Sequence, residues 1–213
     1  STRCFTSGDT TATDLVQGFN CSGASGNPGS GTHTPNTANF PVYNSIKGGV
    51  FDFAGGKGIN VDGNLGSTSS SSISMWLYKT TAATQYVTDG RNNGGQWFLS
   101  NYVGFNLNWH STLEYNFESP YNASSSEFVN QWVHITVISD STGSKIYING
   151  AYTVATTETS ADEDFGVNYR IGTRYTSDDE WTGYIGPTYF YNKALSASEV
   201  TQNFNAQKSR FGI

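Results

Sequence analysis

The residues whose chemistry is most legible are aromatic rings set beside amides and cations. The run Asp89-Gly90-Arg91-Asn92-Asn93-Gly94-Gly95-Gln96-Trp97 joins a cation, two amides and an indole inside a glycine-rich stretch. Such a set suits a saccharide: a ring stacks on the C–H face of a sugar, and planar polar groups pair with hydroxyls. Arg91, Asn92, Asn93, Trp97, Trp109, Arg174 and Trp181 are therefore the candidate ligand-binding residues, with Tyr102, Asn108 and Tyr184 as further members. The plainer alternative is a hairpin loop whose tryptophan tucks into the core. Trp76 and Trp132 lie in strongly apolar runs and are expected to be core.

Acidic residues offer a second chemistry. Hard cations take several carboxylate and carbonyl oxygens. Asp52, Asp162, Asp164, Asp178 and Asp179 are the candidate ligands for a calcium ion, against the alternative of solvated acidic loops. No strand carries the E-x-D-x-E spacing that brings two acids to the roughly 5 Å separation of a retaining glycosidase. Glu114 and Glu118 share a strand face, but four residues along a strand span about 13 Å. No G-x-S-x-G string and no zinc-ligand spacing occur, and His134 is expected to be a structural strand residue. No catalytic residue is assigned, and the balance leans away from an enzyme.

These residues must be held by strands. Lys and Glu are scarce, while Tyr and Phe number 13 each, which favours β-structure over helix. Alternation marks Ser71 to Tyr78, with Ile73, Met75 and Leu77 on one face and Ser74, Trp76 and Tyr78 on the other. It also marks Phe105–His110, Thr112–Glu118, Trp132–Ser139, Lys145–Asn149, Ala151–Ala155, Tyr169–Tyr175 and Gly183–Tyr191. Bulky residues on both faces predict central strands covered on both sides. Asn149-Gly150 predicts a type I′ hairpin. Ser196 and Glu199 form a capping box, opening a helix expected to reach about Asn205.

Residues 1–45 read as a loop-rich lead-in to one 213-residue domain. Cys4 and Cys21 are a disulfide candidate, with two free thiols as the alternative. The net charge of −6 and a pI near 4.9 argue against a nucleic-acid partner. No run of 18 apolar residues exists, so no membrane insertion is expected.

The order of segments resembles the concanavalin A-like lectin/glucanase superfamily in its laminin-G-like jelly-roll branch. The residues that carry the likeness are Gly49-Val50-Phe51-Asp52-Phe53, Ile73-Ser74-Met75-Trp76-Leu77, Trp132-Val133-His134-Ile135, Lys145-Ile146-Tyr147-Ile148-Asn149-Gly150 and Tyr189-Phe190-Tyr191-Asn192-Lys193-Ala194-Leu195-Ser196. It covers roughly residues 45 to 206. The resemblance implies an all-β, two-sheet antiparallel jelly-roll sandwich with one short C-terminal helix. Relatives often carry Asp-Glu where this chain has Gly186-Pro187, which puts a family calcium site in question.

Thr13-Asp14-Leu15 and Gln202-Asn203-Phe204-Asn205 resemble versions on bacteriophage virion and bacterial surface proteins. The implied function is a non-catalytic recognition module on a virion or in the extracellular space. Its partner is a glycan or host-surface polysaccharide. A structural virion protein, with a homo-oligomer or other virion proteins as partners, is one alternative, and a glycosidase or lyase of the same fold is another.

Overall fold

Two nine-residue strands anchor the molecule because their sequences bury both faces. In Ser71–Lys79 every residue but Tyr78 is buried, and in Trp132–Asp140 every residue but Asp140. Ile73, Met75 and Leu77 of the first, with Val133, Ile135 and Val137 of the second, point into one core. The alternate residues Trp76, Trp132 and Ile138 point the other way, into two smaller clusters.

The computed structural model describes residues 2–3, 12–13, 20–23, 41–54, 57–64, 67–68, 70–81, 83, 85–89, 97–101, 105–110, 114–118, 128–156, 163–164, 167–174 and 180–213. In chain order the strands are β1 (Thr2–Arg3), β2 (Ala12–Thr13), β3 (Asn20–Gly23), β4 (Val42–Asn44), β5 (Val50–Asp52) and β6 (Ile59–Asn64). Then come β7 (Ser67–Thr68), β8 (Ser71–Lys79), β9 (Gln85–Asp89), β10 (Trp97–Asn101), β11 (Phe105–His110) and β12 (Glu114–Glu118). The last six are β13 (Trp132–Asp140), β14 (Gly143–Ile148), β15 (Ala151–Thr156), β16 (Glu163–Asp164), β17 (Val167–Ile171) and β18 (Gly183–Tyr191). A 3₁₀ turn covers Ile46–Gly48, and α1 covers Ala197–Phe211.

One antiparallel sheet runs β15-β14-β13-β8-β18-β5-β4, and β1 also pairs with β18. The other runs β12-β11-β10-β9-β17-β6-β3-β2. Val87 of β9, Ile59 of β6 and Ile171 of β17 meet the inward residues of β8 and β13, so the main core lies between the sheets. This is the expected jelly-roll sandwich. Segments before residue 45 pair into both sheets: Thr2 with Phe190, Cys21 with Val61. The part expected to be loop-rich therefore contributes short strands.

Local chemistry sets the joints. Asn149 and Gly150 have φ of 51° and 76°, as a type I′ hairpin requires. Pro187 sits in a central strand, where its missing N–H would cost a ladder bond. The register of β18 against β8 shifts between Ile185 and Thr188, so Gly186-Pro187 falls in a bulge. Ser196 caps α1, its side chain accepting from the Glu199 N–H at 3.3 Å. The Glu199 carboxyl is held down at about 2, chiefly by its hydrogen bond to Lys193 and then by the Ser196 N–H.

The helix does not stop near Asn205, as expected from the sequence, but at Phe211, with Gly212 as a left-handed cap. The extra turns bring Phe211 onto Trp76, ring centroids 4.1 Å apart. Ala206, Gln207, Lys208 and Arg210 are good helix formers, and burying that stack anchors the end they reach.

Candidate functional site

The outer face of the first sheet carries a row of aromatic rings. Trp132 on β13 is the cross-strand partner of Tyr78 on β8, and Tyr78 is the partner of Tyr184 on β18. All three stand at the same end of their strands. Ring centroids are 5.4 Å apart for Tyr78–Trp132 and 5.7 Å for Tyr78–Tyr184, tilted by 54° and 55°, and 6.3 Å for Trp132–Tyr184, at 26°, so the strands stand in a row while the rings close into a triangle. Phe211 closes the row from the helix side, 4.7 Å from Trp132.

A groove of about 370 Å³ opens against this row. Its walls are Tyr78, Trp132, Phe211, Asn130, Gln131 and Asn149, with the Gly212–Ile213 turn at one end. That volume is at the small end of the range for ligand pockets, about 300–1,000 Å³. Asn130 is fixed by its N–H to the Lys79 carbonyl at 2.7 Å, and adopts φ 60°. Asn149 is fixed by its Oδ1, which accepts the His134 N–H at 2.9 Å. Asn is favoured at such left-handed positions for backbone reasons alone, so the rings and not the amides mark the site.

The polar groups facing the groove are unspent. Among the described residues, the Tyr78 hydroxyl, the Trp132 indole N–H, the Asn149 amide N–H₂ and the side chains of Asn130 and Gln131 make no hydrogen bond. Trp132 is 8 % exposed, enough to offer an edge and its N–H. The half-buried rings of Tyr78 and Tyr184 supply area and Trp132 an edge, so the set, with donors and acceptors around it, can pack on an apolar face and pair with hydroxyls.

Behind the row lies a neutral, buried support. The Thr136 hydroxyl donates to Ser74 Oγ at 3.2 Å, leaving the Ser74 proton for His134 Nε2 at 2.9 Å. His134 is 1 % exposed and packs on Trp76, centroids 4.9 Å apart. Burial pushes its imidazole down to about 4. It is the structural residue expected.

The residues singled out in the sequence are distributed elsewhere. Trp181 is corrected: it is 1 % exposed in the main core, with the Lys79 ammonium 5.9 Å from its ring centroid. A ring enclosed on both faces cannot stack on a sugar. Burial also draws the Lys79 ammonium down to about 8. Arg174 is half-buried, its guanidinium 5.2 Å from the Tyr86 ring centroid, and its carbonyl accepts from Arg170 at 3.1 Å. Trp97 and Trp109 are cross-strand partners on β10 and β11, so the backbone brings these two together. Their side chains, and all of Arg91, Asn92, Asn93 and Tyr102, lie outside the described residues. His110 pairs with Glu114, and Asn106 with Glu118, on the same sheet.

Of the candidate calcium ligands, Asp52 is on β5 and its Oδ1 accepts the Ala54 N–H at 2.9 Å, a turn-forming bond. Asp164 is paired with Ser67 through the backbone. Asp162, Asp178 and Asp179 lie outside the described residues, as does Cys4, the candidate disulfide partner of Cys21. Among the described residues no three acidic, histidine or cysteine side chains gather around one point, and no described helix is long and apolar enough to cross a membrane.

Tyr184 was among the sequence candidates, but Tyr78 and Trp132 were not selected. The available signal was positional: each is an aromatic at the end of a long strand, next to turn residues.

With that geometry in place, comparison with known proteins agrees with the topology. A family model described as the Concanavalin A-like lectin/glucanases superfamily matches residues 53–201. The chain belongs to that superfamily. A comparison with curated proteins finds no match. Among solved structures, domain 4 of AbnA, a GH43 extracellular arabinanase from Geobacillus stearothermophilus, solved in complex with arabinotriose, is 21 % identical with a TM-score of 0.63. The match covers 89 % of this chain and 91 % of that one. The botulinum neurotoxin serotype G binding domain is 16 % identical with a TM-score of 0.70, covering 98 % of this chain and 51 % of that one. The serotype D ligand binding domain, solved with N-acetylneuraminic acid, is 16 % identical with a TM-score of 0.69, covering 97 % and 50 %. This chain thus spans about half the length of the toxin domains. At these identities the likeness is one of fold.

Proposed function

We propose that this chain is a non-catalytic carbohydrate-recognition module that works outside the cell or on a virion surface. The observation that carries the reading is the ring row Trp132–Tyr78–Tyr184 beside a groove whose polar groups are unspent. Aromatic area gives affinity, while fixed amides give orientation. The arabinotriose complex of the AbnA domain and the N-acetylneuraminic acid complex of the serotype D domain are consistent with a sandwich used for sugar recognition. A virion or cell-surface setting rests on the resemblance of Thr13-Asp14-Leu15 and Gln202-Asn203-Phe204-Asn205 to phage and bacterial surface proteins. Calcium bound by residues among Asp52, Asp162, Asp164, Asp178 and Asp179 is part of the proposal.

The test is a glycan-array screen of the purified chain, with and without chelator. Saturable binding that weakens in Gln131→Ala supports the module and places it at the groove. Loss on chelation supports the ion. No binding to any glycan, together with a stable multimer in solution, overturns the reading in favour of a structural protein.

A further inference from the structure

We infer that the groove selects an uncharged sugar unit within a single soluble chain, in preference to an acidic glycan or a crystalline polysaccharide face; the inference rests on the recognition reading above. Charge argues first. Among the described residues, none of the side chains walling the groove is ionisable at neutral pH: the rings of Tyr78, Trp132 and Phe211, and the amides of Asn130, Gln131 and Asn149. A carboxylate desolvated there needs a cation or several fixed N–H donors aimed at one point.

Among the described residues, two cations stand at the end of α1 beside the groove. Arg210 donates to the carbonyls of Lys47 and of Gly49, the latter at 2.6 Å. Lys47 Nζ lies against the cap, 3.3 Å from where a Cβ on Gly212 would stand. A helix C-terminus carries about half an elementary negative charge, which weakens the field these two cations present to the groove without cancelling it. The net charge of −6 acts in the same direction at long range.

Shape argues second. A flat crystalline face requires coplanar rings. Here Tyr78 is tilted by 54° and 55° against Trp132 and Tyr184, which lie 26° from each other, so the three rings share no plane, and Phe211 with Gly212–Ile213 adds a further wall. A groove of about 370 Å³ with tilted walls fits a unit of a flexible chain.

The experiment is isothermal titration of the full chain at low and high salt with three probe sets. These are neutral arabinan, galactan, glucan and mannan oligomers; acidic oligogalacturonate and sialyllactose; and a pull-down on microcrystalline cellulose. The expected result is saturable binding to a neutral oligomer, with a Kd that moves less than about twofold with salt. That binding weakens about tenfold in Trp132→Ala and several-fold in the rim variant Gln131→Ala, and is unchanged in Lys47→Ala. Since Trp132 is largely buried, the Gln131 variant carries the test if the tryptophan variant fails to fold. Tighter, salt-sensitive binding of acidic oligomers, weakened in Lys47→Ala, overturns the charge argument while leaving recognition intact. Retention on cellulose lost in Gln131→Ala overturns the shape argument in the same way. No binding in any set removes both the inference and the reading beneath it.

Discussion

Lowering the pH from 7 to 5 should destabilise this protein through one residue. His134 is 1 % exposed, with its Nδ1 lacking a hydrogen-bond partner and its Nε2 on Ser74 Oγ. Burial holds its folded pKa near 4, against 6.5 when solvated. The folded state therefore resists the proton that the unfolded chain accepts. Stability is complete above the unfolded value and falls as the pH drops below 6.5, levelling off once the pH passes the folded value. Linkage gives a loss of about 2 kcal/mol between pH 7 and pH 5, rising to about 3 kcal/mol near pH 4. For a domain of this size that is a fall in Tm of about 4–8 °C by pH 5. The window is chosen above pH 5 because Glu199 and other carboxylates begin to act below it. The assay is urea unfolding of wild type and His134→Gln at both pH values. The glutamine amide reaches for Ser74 but does not titrate, so the pH-dependent difference should vanish in the variant. An equal loss of stability in wild type and variant would refute the reasoning.

Three further outcomes follow from packing. Gly172→Ala places a Cβ 2.3 Å from the Phe53 ring at φ +80°, and should cost about 2–5 kcal/mol by denaturant unfolding, strain and overpacking together. Gly212→Ala also takes a positive φ but meets only the flexible Lys47 terminus, so about 1 kcal/mol is expected. Ser196→Ala removes the cap of α1 and should cost about 1 kcal/mol, read in the same assay.

How much of this was readable depended on whether a signal was local. The long strands were, because alternation in Ser71–Lys79 and Trp132–Asp140 is a property of consecutive residues. So were Asn149-Gly150 and the Ser196 cap, whose chemistry dictates one backbone shape each. Short strands such as β1 and β2 hold two residues each, too few for a period. The end of α1 was missed although Gly212 was a legible stop, because the residues before it carry little hydrophobic pattern until Phe211.

The groove was harder still. Trp132 reads as core, and most of its surface is core. Its exposed edge becomes visible only once register sets it beside Tyr78, a relation across about 54 residues of sequence that no window contains. Trp181 failed in the opposite sense: it was a candidate as a flat aromatic ring, yet the ring folds inward against Lys79.

The most direct measurement is a titration of the ¹⁵N-labelled chain with the neutral oligosaccharide that titration calorimetry selects, following the five indole N–H signals. The account predicts that the Trp132 signal shifts in a saturable way while those of Trp76 and Trp181 stay in place. Shifts confined to Trp97 and Trp109, with Trp132 unmoved, would contradict it and move the site to the opposite sheet.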